Sequence, residues 1–379
     1  MTAHAALDVD ALLSDPTIQI VVCCGAGGVG KTTASAALAV RAADAGRTVV
    51  VLTIDPARRL AQALGLTRLD NVPRVVQGVG SDSGGQLWAM QLDMKRTFDE
   101  IVEEHSTPQR SRQILSNPFY QSLSSSFAGT QEYMAMEKLG QLRTRGDWDL
   151  IIVDTPPSRS ALDFLDAPQR MARFLDGRML RLLAAPAKAG GRAYLKVVGV
   201  GFTVFARVLT RILGTQVLTD VSAFVGALDT MFGGFRERAE ATYEMLCQPG
   251  TAFLVVATPE PDALREASYF VARLYADSMP LAGVIINRVH RSAVAKLSGQ
   301  RAETAAETLE EMGDQELTAA VLRIHVELMF TARREQRLTS RFTKAHPEVR
   351  LREVPVLTGE VHDLTALRTV GAALAGEAG

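Results

Sequence analysis

The chain has 379 residues and a net charge of −1, and 47% of its residues are hydrophobic. This length allows one large α/β domain or two ordinary ones, with a substantial apolar core. The balanced charge gives no global field that would attract nucleic acid or an anionic membrane, so we expect no nucleic-acid partner. Cys23, Cys24 and Cys247 form no C-x-x-C pair and no even framework, which favours reduced, buried thiols and a cytoplasmic protein.

No segment of the chain has the pattern of a targeting or membrane-spanning element. Residues 1–15 include acidic residues and lack the positively charged start of a signal peptide. No run approaches the roughly 20 uncharged apolar residues that span a bilayer. We therefore expect that the protein is not an integral membrane protein.

Short apolar runs alternate with helical patterns, which predicts a parallel sheet covered by helices on both faces. Val- and Ile-rich runs without polar alternation are typical of strands buried on both sides. The predicted strands are Ile18–Cys24, Thr48–Ile54, Leu87–Leu92, Leu150–Val153, Ala252–Ala257, Leu281–Ile286 and Arg350–Val356. We expect one α/β domain over residues 1–379, with a doubly wound, mainly parallel sheet.

Two intervals of the chain show helical rather than strand patterns. Residues 161–248 are unusually apolar and are punctuated by arginines, which predicts a helical subdomain inserted between central strands. Two readings of it stay open: a helical layer packed on the sheet, or an amphipathic lid for an apolar client or partner subunit. Residues 291–346 are rich in Glu and Arg and predict a smaller, solvated helical segment.

Residues 25–33 read GAGGVGKTT and match the phosphate-binding pattern G-x-x-x-x-G-K-[ST]. The strand before this motif and the Ala-rich helix predicted after it, Thr33–Ala45, would place the phosphates at a helix N-terminus. Glycines bring backbone N–H groups close to phosphate oxygens, a lysine supplies positive charge, and a threonine hydroxyl suits Mg²⁺. The residues expected to bind the phosphates are Gly27, Gly28, Val29, Gly30, Lys31, Thr32 and Thr33.

Two carboxylates end predicted strands, at the edge where open parallel sheets bind ligands. Asp55 follows the second strand and Asp154 follows the fourth. An apolar strand that ends in Asp near a phosphate loop suits a Mg²⁺ site, as in a Walker B strand. The expected cofactors are therefore ATP and Mg²⁺, with Thr32, Asp55 and Asp154 as the metal-binding residues.

The loop, followed by Asp-Pro-Ala at 55–57 and Asp-Thr-Pro-Pro at 154–157, resembles the phosphate loop, switch I and switch II of one family. This family comprises the arsenite-pump and tail-anchored-protein-targeting ATPases (anion-transporting ATPases), which are deviant-Walker P-loop ATPases, and we expect a bacterial member. Further similar segments follow in order at 129–132, 258–260, 284–288 and 355–361.

The resemblance implies roles for individual residues. Asp55 would position or activate the attacking water. Lys31 is the second predicted catalytic residue, because its charge would lie near the β- and γ-phosphates. Asp154 would hold the metal shell and couple it to switch II. Asn287 corresponds to the asparagine that reads adenine, and Pro355 with Val356 to the loop that covers the base.

The chain departs from the family pattern in three ways. The usual loop carries a lysine that reaches the other subunit's nucleotide, and Ala26 stands in its place. The candidate substitutes for that lysine are Arg58, Arg59 and Arg159. Arg58 and Ser160 replace switch histidines. Three scattered cysteines do not supply the zinc or arsenite ligands of family members, so we expect neither.

The leading hypothesis is a cytoplasmic, dimeric, Mg-dependent ATPase whose nucleotide cycle switches a helical surface for an apolar helical client or a partner. The alternative is a weakly hydrolysing regulatory or scaffold subunit, paired with a paralogue that carries the lysine. A chromosome-partition or septum-placing ATPase is disfavoured, because residues 362–379 contain one arginine and form no basic anchor.

Overall fold

A computed structural model describes residues 5–55, 57, 59–104, 106–118, 120–121, 130–156, 237–294, 296–313, 315–357, 359 and 361–377. The strands are β1 Ile20–Gly25, β2 Thr48–Thr53, β3 Arg74–Val75, β4 Gln86–Gln91, β5 Leu150–Asp154, β6 Thr251–Ala257, β7 Leu281–Val289 and β8 Leu351–Pro355. The helices are α1 Val9–Ser14, α2 Lys31–Asp44, α3 Arg59–Ala63, α4 Met94–Glu104, α5 Pro108–Leu115, α6 Thr130–Arg145, α7 237–247, α8 Pro261–Ala276, α9 Gly299–Met312, α10 Glu316–Ala345 and α11 Leu364–Ala375.

The strands form one sheet in the order β3-β4-β2-β5-β1-β6-β7-β8, so the predicted α/β fold with a doubly wound sheet is confirmed. All neighbouring strands are parallel except β3 and β4. The seven predicted strands are present, whereas the two-residue edge strand β3 was not predicted. The chain leaves β1 toward β5 and β2 on one side and returns later to β6 on the other. The loop after β1 therefore lies at a topological switch point, where open α/β sheets bind ligands.

Helix α2 is the main cover of the sheet on one face. It is rich in alanine, and ten of its fourteen residues are buried. Small side chains let the helix lie close to the strands, and α11 packs along it. Helix α11 begins after Asp363, whose carboxylate accepts the Ala366 N–H at 2.8 Å, and ends at Gly376 in the left-handed conformation.

The cysteines are free thiols. Cys23 and Cys24 are fully buried in β1, and burial raises the pKa of Cys23 to about 12 and that of Cys24 further still. Cys247 is only partly buried. The thiols of the first two are therefore uncharged at neutral pH, which makes them packing groups rather than nucleophiles.

The chain divides into two compact units. Met1–Gln91, Gly146–Leu162 and Leu246–Gly379 form the first unit, which contains the sheet. Leu92–Arg145 and Asp163–Met245 form the second, whose described part is helical. In the second unit Arg238 donates to the buried carboxylate of Glu137 at 2.8 Å, and Lys138 donates to Glu100 at 3.0 Å.

The two predicted helical intervals differ in how far the structure describes them. Of the interval 161–248, residues 161–236 lie outside the described residues, and 237–247 are helix α7. The interval 291–346 contains α9 and α10. Within the described residues, no helix combines the length and the apolar character needed to cross a membrane.

Candidate functional site

The phosphate loop connects β1 to α2, and two of its positions favour glycine for different reasons. A Cβ on Gly25 would lie 2.0 Å from the Val256 carbonyl oxygen of β6, and the φ of Gly25 is 147°. Gly28 has a φ of 76° and is exposed, and a Cβ built on it would meet nothing within 4 Å. One glycine therefore lets the strands approach each other, while the other leaves open space above the loop for a ligand.

Lys31 begins helix α2 and is buried beneath the loop, with 5% of its surface exposed. Its ammonium group donates to the carbonyl oxygens of Gly25 and Ala26 at 3.0 and 2.7 Å. Burial lowers the pKa of Lys31, while the nearby carboxylate of Asp154 opposes this effect. Lys31 has three N–H donors, so one remains for an anion bound by the loop.

Asp154 is the centre of the hydrogen bonds at the carboxyl ends of β1, β2 and β5. It is opposite Cys23 in β1 and Thr53 in β2. Its Oδ2 accepts the hydroxyl protons of Thr32 at 2.8 Å and of Thr53 at 2.9 Å. Its Oδ1 is buried and has no hydrogen-bond partner among the described residues. The pKa of Asp154 is raised to about 6 because the carboxyl group is fully buried, although both hydroxyls and Lys31 favour the charged form.

Asp55 follows β2 directly and is nearly buried, at 9% exposed. Its N–H donates to the Thr53 hydroxyl at 3.2 Å, and its own Oδ1 accepts the Ala57 N–H at 3.0 Å. Gln91, at the end of β4, donates to the Asp55 carbonyl oxygen at 3.0 Å. The Thr53 hydroxyl thus links Asp55 to Asp154, because it accepts a hydrogen bond from the backbone N–H of Asp55 and donates one to the carboxylate of Asp154. No role was predicted for Thr53.

A cavity of about 280 Å³ opens beside the phosphate loop. It is bounded by the start of α2, the ends of β7 and β8, and α11, and many of its wall residues are aliphatic. The predicted base-binding residues Asn287, Pro355 and Val356 all line it, together with Gly30 and Thr33 of the loop. Arg288 also lines it, in the left-handed conformation with a φ of 60°, and was not predicted. A flat apolar ligand group joined to phosphates has the shape that this arrangement fits.

Comparison with known proteins connects this geometry to a family. The family model described as anion-transporting ATPase matches residues 18–324. The chain belongs to the anion-transporting ATPase family. The family resemblance and the P-loop fold expected from the sequence are thereby confirmed, and the proteins of this family are ATPases.

Three relatives show how far the similarity extends. The ATPase GET3 of Malassezia globosa is 29% identical over 164 residues, which is 43% of this chain and 46% of that protein. The ATPase ASNA1 homolog of Babesia bovis is 26% identical over 286 residues, 74% of this chain and 69% of that protein. The ATPase GET3A of Arabidopsis thaliana is 22% identical over 358 residues, 94% of this chain and 84% of that protein. The match to the Malassezia protein thus spans less than half of that relative's length. All three organisms are eukaryotes, so these relatives do not test the expected bacterial source.

Ala26 contributes to packing and to the position of Lys31 in this member of the anion-transporting ATPase family. It is 8% exposed and packs with the buried apolar residues of the sheet and α2. Its carbonyl oxygen is one of the two that hold Lys31. The proposed substitutes Arg58 and Arg159 lie outside the described residues, as do Ser160 and Glu360. Arg59 is exposed at the start of α3.

The residues around Asp154 fit a magnesium ion. A buried carboxylate oxygen without a partner favours a cation, and a hydroxyl that donates its proton to a carboxylate keeps its lone pairs for a metal. In the part of the chain that the structure describes, no three His, Cys, Asp or Glu side chains cluster as metal ligands. Mg²⁺ would therefore depend on one hydroxyl, carboxylates and water, which is usual for this ion near phosphates.

Proposed function

We propose that this chain binds ATP with Mg²⁺ and hydrolyses it as a dimer, and that the nucleotide cycle switches a helical surface that binds a client or partner. The observation that carries the proposal is the convergence on Asp154. Two hydroxyls donate to one of its oxygens, and the other oxygen is buried without a partner in the part of the chain that the structure describes, next to a loop whose glycine backbone is open. A site for a cation and a site for phosphates are thus adjacent at the switch point of the sheet.

Each proposed residue has a separate task in phosphoryl transfer. The loop backbone from Gly27 to Gly30, with Thr33, would bind phosphate oxygens, and Lys31 would place its charge near the β- and γ-phosphates. Thr32 would ligate the metal, and Asp154 would hold that hydroxyl in position and bind the metal through water. Mg²⁺, when bound, neutralises charge that develops on the phosphate oxygens.

Asp55 is proposed to orient the attacking water. Its side chain is fixed through the Ala57 N–H, and its backbone is fixed by Thr53 and Gln91. A carboxylate held in this way contributes mainly by positioning, which is the main source of rate enhancement in phosphoryl transfer. The base of the nucleotide would occupy the cavity lined by Asn287 and Val356.

Steady-state ATP hydrolysis by the purified protein, with its mass in solution measured with and without ATP, tests this proposal. We expect turnover together with an ATP-dependent dimer. Lys31→Ala should abolish nucleotide binding, and Asp55→Asn should stop turnover while ATP still binds. Lys344→Ala, on the far end of α10, is the matched lysine control. Full activity of Asp55→Asn would refute the role of Asp55, and failure of the wild-type protein to bind ATP would refute the proposal.

The weakly hydrolysing subunit is the second candidate, and Ala26 is the observation that favours it. A residue supplied in trans can raise the rate of phosphoryl transfer by several orders of magnitude, and a homodimer of this chain lacks the usual lysine on both sides. ATP binding without turnover would support this candidate. Turnover restored by addition of a lysine-bearing paralogue would then identify the heterodimer.

A further inference from the structure

Asn287 makes a contact that base recognition does not require. Its side-chain Nδ2 donates to the backbone carbonyl oxygen of Val29 at 2.8 Å. Val29 is a buried residue of the phosphate loop, with 2% of its surface exposed. The contact joins the end of β7 to the loop after β1, although 258 residues separate them in sequence.

The fit between this amide and the loop is close. A Cβ built on Gly30 would lie 2.3 Å from Asn287 Nδ2, so a side chain at position 30 would displace the amide from this place beside the loop. On its other side, Asn287 Oδ1 accepts the N–H of Arg288 at 3.0 Å. Arg288 itself has a φ of 60°, a conformation that is uncommon for residues other than glycine.

These two bonds fix the orientation of the amide. Nδ2 must face the Val29 carbonyl and Oδ1 must face the Arg288 N–H. The reverse orientation would place Oδ1 against the carbonyl oxygen and Nδ2 against the N–H, so that neither hydrogen bond could form. A primary amide has two N–H donors and two acceptor lone pairs, so one donor and one lone pair remain. Asn287 also lines the cavity proposed for the base, so the same amide borders both parts of the nucleotide site.

We propose that Asn287 is a positioning residue for the phosphate loop, in addition to any contact with the base, and that it couples occupation of the base cavity to the conformation of the loop. This inference rests on the proposed function. Loss of the amide would release the Val29 carbonyl and let residues 26–30 leave the conformation that binds phosphates. A residue that only reads the base would affect adenosine but not a base-free phosphate chain.

Ligands that carry only one half of ATP separate the two roles. The probes are adenosine and magnesium tripolyphosphate, whose affinities are measured by calorimetry for the wild type and Asn287→Ala. Removal of one hydrogen bond to the backbone corresponds to about a three- to tenfold loss of affinity. We expect a loss of this size for tripolyphosphate. Unchanged tripolyphosphate affinity, with weaker adenosine binding, would overturn the proposal.

Two further variants keep the test decisive. Asn287→Leu keeps the approximate size of the side chain, adds no charge beside the loop and loses the donor to Val29, so it should weaken tripolyphosphate binding even if the alanine variant folds poorly. Val361 lines the cavity proposed for the base, whereas the bond to the loop carbonyl is made by Asn287. Val361→Ala should therefore weaken adenosine binding alone. An equal loss of tripolyphosphate affinity in Val361→Ala would attribute the effect to the cavity and overturn the proposal.

Hydrogen–deuterium exchange of the ligand-free protein supplies a readout that does not depend on binding. Asn287→Leu should accelerate exchange in residues 26–30 and leave β6 unchanged. Unaltered exchange in the loop would overturn the positioning role. If the wild-type protein bound neither ATP nor tripolyphosphate, the proposed function itself would fail, whereas the exchange result would still report whether Asn287 holds the loop.

Discussion

Replacement of Asp154 by asparagine tests the electrostatics of the candidate site. Asp154 is a fully buried carboxyl group in which one oxygen accepts two hydroxyl protons and the other has no partner among the residues that the structure describes. Burial raises its pKa from 3.8 to about 6; Lys31 and the hydroxyls of Thr32 and Thr53 act in the opposite direction, and Asp55 adds to the increase. These are the charged and polar groups that act on this carboxyl group.

The direction of the change in stability with pH depends on whether the folded or the unfolded state binds the Asp154 proton more tightly. The folded protein retains the Asp154 proton up to about pH 6, whereas the unfolded chain releases it near pH 4. The contribution of Asp154 to stability is therefore greatest below pH 4 and decreases as the pH rises through about 6. The difference corresponds to about 3 kcal/mol of unfolding free energy, of which about 2 kcal/mol falls between pH 4.5 and pH 7.5.

Asparagine is neutral at both pH values and keeps an oxygen for the two hydroxyls. Its amide group would be unpaired, which costs about 1–3 kcal/mol, but this cost is equal at both pH values. Urea unfolding in EDTA, without nucleotide, should show that the free energy of unfolding of Asp154→Asn relative to wild type rises by about 2 kcal/mol from pH 4.5 to pH 7.5. Asp262→Asn, on the exposed start of α8, is the control and should follow the wild type. Parallel pH profiles for Asp154→Asn and wild type would refute the raised pKa and the electrostatic argument for a cation site.

Substitutions at three further positions test the backbone of the site by urea unfolding. Gly25→Ala should lose about 3 kcal/mol or more, because its Cβ would lie 2.0 Å from the Val256 carbonyl oxygen; a loss below about 1 kcal/mol would contradict the close approach of β1 and β6. Gly28→Ala should lose only about 1 kcal/mol, from its φ of 76°, but should weaken ATP binding more than tenfold, and undiminished ATP affinity would exclude this loop as the phosphate site. Arg288→Gly should stay within about 0.5 kcal/mol of wild type, whereas Arg288→Val should lose about 1–2 kcal/mol, because a branched side chain resists a φ of 60°; equal stability of the two would refute this strain.

The sequence predicts much of the sheet because buried parallel strands leave a local signal. Continuous Val and Ile runs mark β1, β2, β5 and β6, and each is buried almost throughout. The edge strand β3 is only two residues long, Arg74 and Val75, and both are exposed, so no pattern marks it. Helix α11 is capped by Asp363 and Gly376, two residue types that favour the ends of helices. The composition of the C-terminal segment alone does not show where these caps lie.

The individual site residues were predicted more readily than the contacts between them. The motif at 25–33 and the two strand-ending aspartates are local patterns. The role of Thr53 arises from strand register, because only the pairing of β2 with β5 brings its hydroxyl to Asp154. The bond from Asn287 to Val29 depends on the distance between β7 and the loop across β6, which is set by the tertiary fold. A sequence pattern therefore identifies candidate ligand-binding groups, whereas the pairing of strands determines which of these groups lie in contact.

The hydrogen bonds at the carboxyl end of the sheet suggest how a ligand at the loop would affect the segment after β2. Thr32 and Thr53 share one oxygen of Asp154, and the Thr53 hydroxyl in turn accepts the N–H of Asp55. A cation that draws Thr32 and Asp154 toward itself changes the oxygen to which Thr53 donates, and Thr53 cannot move without changing its bond to Asp55. Because every member of this chain of bonds is at least partly buried, water is a poor substitute for a lost partner. A change at the proposed metal site would therefore alter the hydrogen bonding of Asp55 through three successive hydrogen bonds, without any displacement of the sheet.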